Sequence, residues 1–146
     1  MNSELNTQYA VRRKDLLHPE LSFVINGVLF DVFKTLGGGH PEKYYQKAVA
    51  AGLRARGLDF VEQYYVPVTY SGQHIGKCYL DFLIAHKIVL ELKRGRYLPI
   101  NVVNQTSQYL KSLKLQLAIV ALNYETNLLR SFAYSLAWFR DETFHR

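Results

Sequence analysis

The stretch Tyr79-Leu80-Asp81-Phe82-Leu83-Ile84-Ala85-His86-Lys87-Ile88-Val89-Leu90-Glu91-Leu92-Lys93 decides the fold. Two apolar runs of strand length, joined by only Ala85-His86-Lys87, predict a tight β-hairpin, because so short a link leaves no room for another element. Strand side chains alternate between faces, so a turn centred on His86 places Asp81 directly across from Glu91. Lys93 then emerges on the same face as Glu91, while Ile88, Leu90 and Leu92 pack on the other with Cys78, Leu80, Phe82 and Ile84. An ionised carboxylate among such neighbours is costly unless it is paired, hydrogen-bonded or metal-bound. Two carboxylates facing each other also repel. One remedy is a salt-bridge ladder with Lys93 on a solvated face; the other is a hard divalent cation held between the oxygens.

Upstream of the hairpin, Leu21, Val24, Ile25, Val28, Leu29, Val32, Phe33 and Leu36 keep the three-and-four spacing of a buried helical face, and Gly37-Gly38-Gly39 ends that helix. Pro41 opens a second helix with Tyr45, Ala48, Val49 and Leu53 on one side, closed by Gly57. Residues 60–70 and 77–84 read as strands joined through the turn signal Ser71-Gly72, and 88–92 completes a run of three hairpin strands. A further helix runs from Pro99 to about Lys114, with Val103, Thr106, Leu110 and Leu113 on one face. Residues 117–122 form an apolar strand, and 131–139, with Phe132, Tyr134 and Leu136, read as a last strand or short helix. The expected fold is α/β (α+β): a mixed central sheet with a three-strand hairpin run, flanked by helices. Residues 1–19 are expected to be a polar arm carrying Arg12-Arg13-Lys14, and residues 20–146 a single domain.

The composition agrees with one folded domain, since 49% hydrophobic and 21% charged residues in 146 can bury a core. Eighteen Lys and Arg against twelve Asp and Glu leave a formal charge of +6, so the favoured partner is a polyanion, nucleic acid first. The single cysteine, Cys78, allows no intramolecular disulfide and no cysteine-based zinc site, which suits a reducing interior. No segment has the apolar length of a signal peptide or a membrane span, so a soluble, intracellular, cytoplasmic protein is expected. Serine or cysteine hydrolysis is disfavoured, with Cys78 on an apolar face and no Gly-x-Ser-x-Gly turn. The three glycines lack the Lys-Ser/Thr of a P-loop, and the five histidines lack helical zinc spacing.

Asp81 followed after nine residues by Glu91-Leu92-Lys93 resembles the PD-(D/E)XK nuclease superfamily, with Leu80 in the place of the proline that names its motif. Gly39-His40-Pro41-Glu42-Lys43-Tyr44-Tyr45 is similar to the signature of the GxxExxY proteins, a family of that superfamily. The resemblance runs from about Leu21 to Tyr124 and implies a restriction-endonuclease-like core.

It further implies that Asp81 and Glu91 ligate one or two Mg²⁺ ions, with Mn²⁺ as a substitute. The Leu92 carbonyl is a further oxygen, and Glu42 approaches from its helix. Lys93 would position or help deprotonate the attacking water and contact the phosphate. Gln105 would orient water or phosphate, and Tyr109, four residues on and so on the same helical face, would buttress it. Tyr45 either bonds a site carboxylate or is a core tyrosine with a satisfied hydroxyl, and Glu42 equally suits its helix dipole. Lys87, Arg94, Arg96, Lys111 and Lys114 offer positive charge to nucleic acid. The function implied is Mg²⁺-dependent hydrolysis of phosphodiester bonds, DNA ahead of RNA. The alternative is a non-cleaving nuclease-fold module that binds nucleic acid or a protein partner, and such a partner could also supply specificity to the enzyme. Oligomeric state stays open.

Overall fold

The computed structural model describes residues 18–95, 97–124 and 128–135. Its order is α1 (Pro19–Leu36), α2 (Glu42–Ala55), β1 (Phe60–Tyr70), β2 (Gln73–Ile84), β3 (Ile88–Arg94), α3 (Ile100–Leu113), β4 (Leu117–Tyr124) and β5 (Leu128–Ser135). The five strands form one mixed sheet in the order β1-β2-β3-β4-β5. The β1/β2, β2/β3 and β4/β5 pairs are antiparallel, and β3/β4 is parallel. Parallel neighbours need a crossover, and α3 supplies it.

Helices cover both faces. Ile25, Leu29, Phe33, Val49 and Leu53 of α1 and α2 pack with Phe82, Ile84, Ile88, Leu90, Leu92 and Ile119. On the opposite face, Val102, Tyr109 and Leu110 of α3 pack with Leu80, Leu83, Val89, Val120 and Leu122. Each fully buried Leu or Ile here contributes about 1.5–3 kcal/mol relative to exposure. β3 lies between the two layers with Ile88 to Leu92 all buried, which is why it reads as an unbroken apolar run with one glutamate in it.

The first two helices and the three-strand hairpin run stand where the sequence places them. The face of α3 is shifted: Val102, Thr106, Tyr109 and Leu110 are buried, not a stripe through Val103 and Leu113. β2 begins at Gln73, because Ser71 (φ 47°) and Gly72 (φ 77°) make a two-residue turn of the kind that matches strand twist. The last element is a strand, and its expected continuation through 136–139 lies outside the described residues, as do the triplet Arg12-Arg13-Lys14 and Arg96.

A further difference concerns strand alternation. Cys78 and Leu80 belong to the α3 layer, whereas Phe82 and Ile84 belong to the α1/α2 layer, so the expected common face for all four is not formed. The alternation breaks at Asp81. The β1/β2 ladder pairs Glu62 with Phe82 and Tyr64 with Leu80 but omits the pair between them, where Gln63 adopts φ 49°. One residue in the left-handed region turns the strand and exchanges its faces.

The α1/α2 contact depends on a glycine. A Cβ on Gly52 would lie 2.6 Å from Cγ1 of buried Val28. Gly→Ala within a helix ordinarily stabilises by about 1 kcal/mol, but here the clash reverses the sign. Gly52→Ala is expected to lower the urea midpoint with a net loss of about 1 kcal/mol or more, and an unchanged or raised midpoint contradicts this packing.

Candidate active site

β3 carries Glu91 into the interior with only 4% of its surface exposed. The hairpin register expected from the turn holds for Phe82/Leu90, Leu83/Val89 and Ile84/Ile88, and the next pair in line is Asp81/Glu91. There the backbone ladder stops and the carboxylates take over its role. The Asp81 N–H donates to Glu91 Oε1 at 3.0 Å, and the Leu92 N–H donates to Asp81 Oδ2 at 2.7 Å. Each strand's amide is satisfied by the other strand's acid, as buried donors must be. Lys93 Nζ stands 3.9 Å from Glu91 Oε2 and remains partly exposed.

The electrostatics follow from this placement. Burial, and then the charge of Asp81, push the Glu91 carboxyl up to about 8, against the opposing pull of the Asp81 N–H and Lys93. Burial also raises Asp81; the Leu92 N–H and Lys93 act against it, Glu42 adds to it, and a hydrogen bond with the Gln63 side chain opposes it. Tyr109, buried on α3, is raised well above the ordinary phenol range, by burial first and then by its hydrogen bond with Cys78. The charges of Glu91 and Asp81 also act on it.

Glu42 is presented by a clamped loop. Gly37 (φ 67°) ends α1, its N–H donating to the Phe33 carbonyl. The Tyr45 hydroxyl donates to the Gly37 carbonyl at 2.5 Å and accepts the His40 N–H at 3.2 Å, while its ring stacks on Phe33. Arg94, at the end of β3, donates to the His40 carbonyl at 2.6 Å. Tyr45 therefore bonds the loop and not a site carboxylate. Glu42 opens α2, exposed, beside a pocket lined by Phe33, Tyr45, Leu92, Lys93 and Arg94. Its charge acts on Asp81, yet among the described residues no three His, Cys, Asp or Glu side chains meet as a metal-binding group.

The other sequence candidates are dispersed. Gln105 is exposed, one turn before buried Tyr109, and no side-chain hydrogen bond ties it to a described residue. Lys87 precedes β3, four residues or about 13 Å along the strand from Glu91. Lys114 follows α3, close to Leu117, the partner of Ile88, so it too lies at the end of the sheet away from the carboxylates. Lys111 is exposed one turn earlier in α3.

The residue the sequence reading missed is Gln63. Read from the Ser71-Gly72 turn alone, the register puts Glu62 opposite Asp81; an irregularity between Val68 and Thr69 shifts it by one and brings Gln63 there instead. The signal that could have found it is Gly76, an isolated glycine inside the strand, beside which Ile75 is the extra residue.

A model of the PD-(D/E)XK nuclease superfamily matches residues 19–132. The chain belongs to this superfamily. Membership points to a nuclease-type function. No curated protein matches. Among solved structures, the crystal structure of SSO0001 is similar at 15% identity with a TM-score of 0.49; the match covers 89% of this chain and 60% of that one. No helix among the described residues is long and apolar enough to cross a membrane.

The carboxylate pair makes stability depend on pH. Between the ordinary glutamate value near 4.5 and about 8, folded Glu91 keeps a proton that the unfolded chain has released. Metal-free protein is therefore expected to lose stability as pH rises across that window and to level off above it. Urea unfolding in EDTA at stepped pH checks this, and stability rising from pH 5 to 8 contradicts it.

Proposed function

We propose that this PD-(D/E)XK protein, of the GxxExxY type, is a Mg²⁺-dependent nuclease that hydrolyses phosphodiester bonds, DNA ahead of RNA. The single observation that carries the reading is the buried Asp81/Glu91 pair in the gap where β2 and β3 part, with Lys93 alongside. The donor set suits a hard cation: two carboxylates supply oxygen only, and Mg²⁺ commonly keeps its waters and takes one or two carboxylates plus substrate phosphate. Asp81 and Glu91 would hold it, with the Leu92 carbonyl beside them and Glu42 across the pocket. When bound, such a cation supplies Lewis-acid polarisation of the phosphoryl group and a water of lowered pKa.

The rest is done by the chain. Asp81 and Glu91 are each held in one orientation by a backbone N–H donor, which leaves their remaining lone pairs for a cation. Gln63 holds the Asp81 carboxylate from the other side, a positioning role of the kind that tunes metal ligands. The Lys93 ammonium, a point charge on a flexible stem, orients the attacking water and takes up charge on the scissile phosphate. The clamp of Tyr45 and Arg94 on residues 37–40 sets the approach of Glu42.

The test incubates purified protein with DNA and RNA substrates in Mg²⁺ or Mn²⁺. DNA cleavage is expected. Asp81→Ala and Lys93→Ala are expected to lower it at least about 100-fold. Gln63→Gly, whose backbone tolerates φ 49°, is expected to lower it about tenfold without loss of fold. Cleavage unaffected by Asp81→Ala or Lys93→Ala overturns the reading. Salt-sensitive binding without cutting assigns the protein to the non-cleaving alternative.

A further inference from the structure

Beyond Gln63 and Asp81, β1 and β2 continue as a two-stranded arm, since the recorded pairing of β2 with β3 covers only Phe82 to Ile84. One face of the arm is committed to the core: Tyr64, Val66, Cys78 and Leu80 pack in the α3 layer. Alternation turns Tyr65 and Tyr79 to the other face, the side of the sheet that carries α1 and α2. Neither helix covers them; they are 45% and 47% exposed. They sit directly across the strands from each other, with ring centroids 5.9 Å apart at 64°, and the Tyr65 hydroxyl is fixed at 3.0 Å from His74 Nε2. Lys77 follows Tyr79 on the same face, and from Gln63 to Leu80 there is no acidic residue. Tyr79 lies two residues from Asp81, about 7 Å along the strand.

We infer that this face is a stacking platform for a single-stranded stretch of nucleic acid that runs from the arm to Asp81. Rings held in place cost little entropy to engage, and a cation with no nearby acid favours a phosphate backbone. Unpaired bases present the flat faces that stack on tyrosine, whereas in a duplex those faces are occupied by neighbouring bases. The inference deepens the nuclease reading and rests on it for what happens at the end of the platform; its binding test does not.

The test measures fluorescence anisotropy of a short labelled oligothymidylate, and of a duplex of equal length, in EDTA so that no metal-dependent cutting intervenes. The wild type is expected to bind the single strand more tightly. Tyr65→Ser with Tyr79→Ser is expected to weaken that binding about tenfold or more, while duplex binding changes by less than about threefold. Tyr79→Phe keeps the ring and is expected to hold affinity within about twofold, and Tyr79→Leu, which keeps apolar bulk in the strand, to lose it. Equal affinity in the double variant and the wild type, or a wild-type preference for duplex, overturns the inference. So does a concentration-dependent dimer that the double variant dissolves, which assigns the face to a second copy of the chain. Tyrosine-dependent binding of the single strand without any cleavage in Mg²⁺ sinks the nuclease reading alone.

Discussion

The structure turns on two acids in a place where acids are expensive. β3 is buried on both faces, and Glu91 stands within it, facing Asp81 across a parted hairpin. Neither carboxylate is stranded, because each accepts an amide proton from the opposite strand, so the same contacts complete the sheet and hold the acids in place. Those bonds limit the cost of burial without removing it, and Glu91 still sits well above the ordinary glutamate range. A fold that needed only stability would do better with two apolar residues here. What the acids provide is a rigid pair of oxygen donors beside an ammonium group.

The surroundings are arranged about that pair. On one side of the sheet, stacking of Tyr45 on Phe33 and its bonds to Gly37 and His40 turn a run of three glycines into a fixed loop, and Arg94 ties that loop to the end of β3. Glu42 and Lys93 thereby share one pocket. On the other side, Tyr109 and Cys78 pack in the α3 layer and hydrogen-bond to each other, and the charges of both carboxylates act on the Tyr109 hydroxyl. Gln63 breaks the β1/β2 ladder at the position facing Asp81, which lets the strand exchange faces there and frees Asp81 to turn toward β3.

Much of this was legible in the sequence, and the reason is locality. The hairpin around His86 and the helical faces of α1 and α2 follow from alternation or periodicity over a few residues, and the placement of Asp81, Glu91 and Lys93 follows from the hairpin. What was not read depends on non-local shifts. The irregularity between Val68 and Thr69 moves the register by one, so Gln63 was hidden behind Glu62. The exchange of faces at Asp81 sent Cys78 and Leu80 to the opposite layer. The Tyr45 hydroxyl found a carbonyl in the glycine loop, a contact set by how that loop folds back. The position of Lys87 and Lys114 at the end of the sheet away from the carboxylates follows from strand direction and from the return of the chain through α3.

The most direct measurement is Mn²⁺ binding, followed by electron paramagnetic resonance, in the wild type and in Glu91→Gln, paired with metal-free melting of both. The wild type is expected to bind the ion, Glu91→Gln to bind it at least about tenfold more weakly, and, at pH above 8, the amide variant to melt higher, since it removes a buried like charge. Equal Mn²⁺ affinity in the two proteins, together with a lower melting temperature for Glu91→Gln, would contradict this and leave the carboxylate pair as a structural element only.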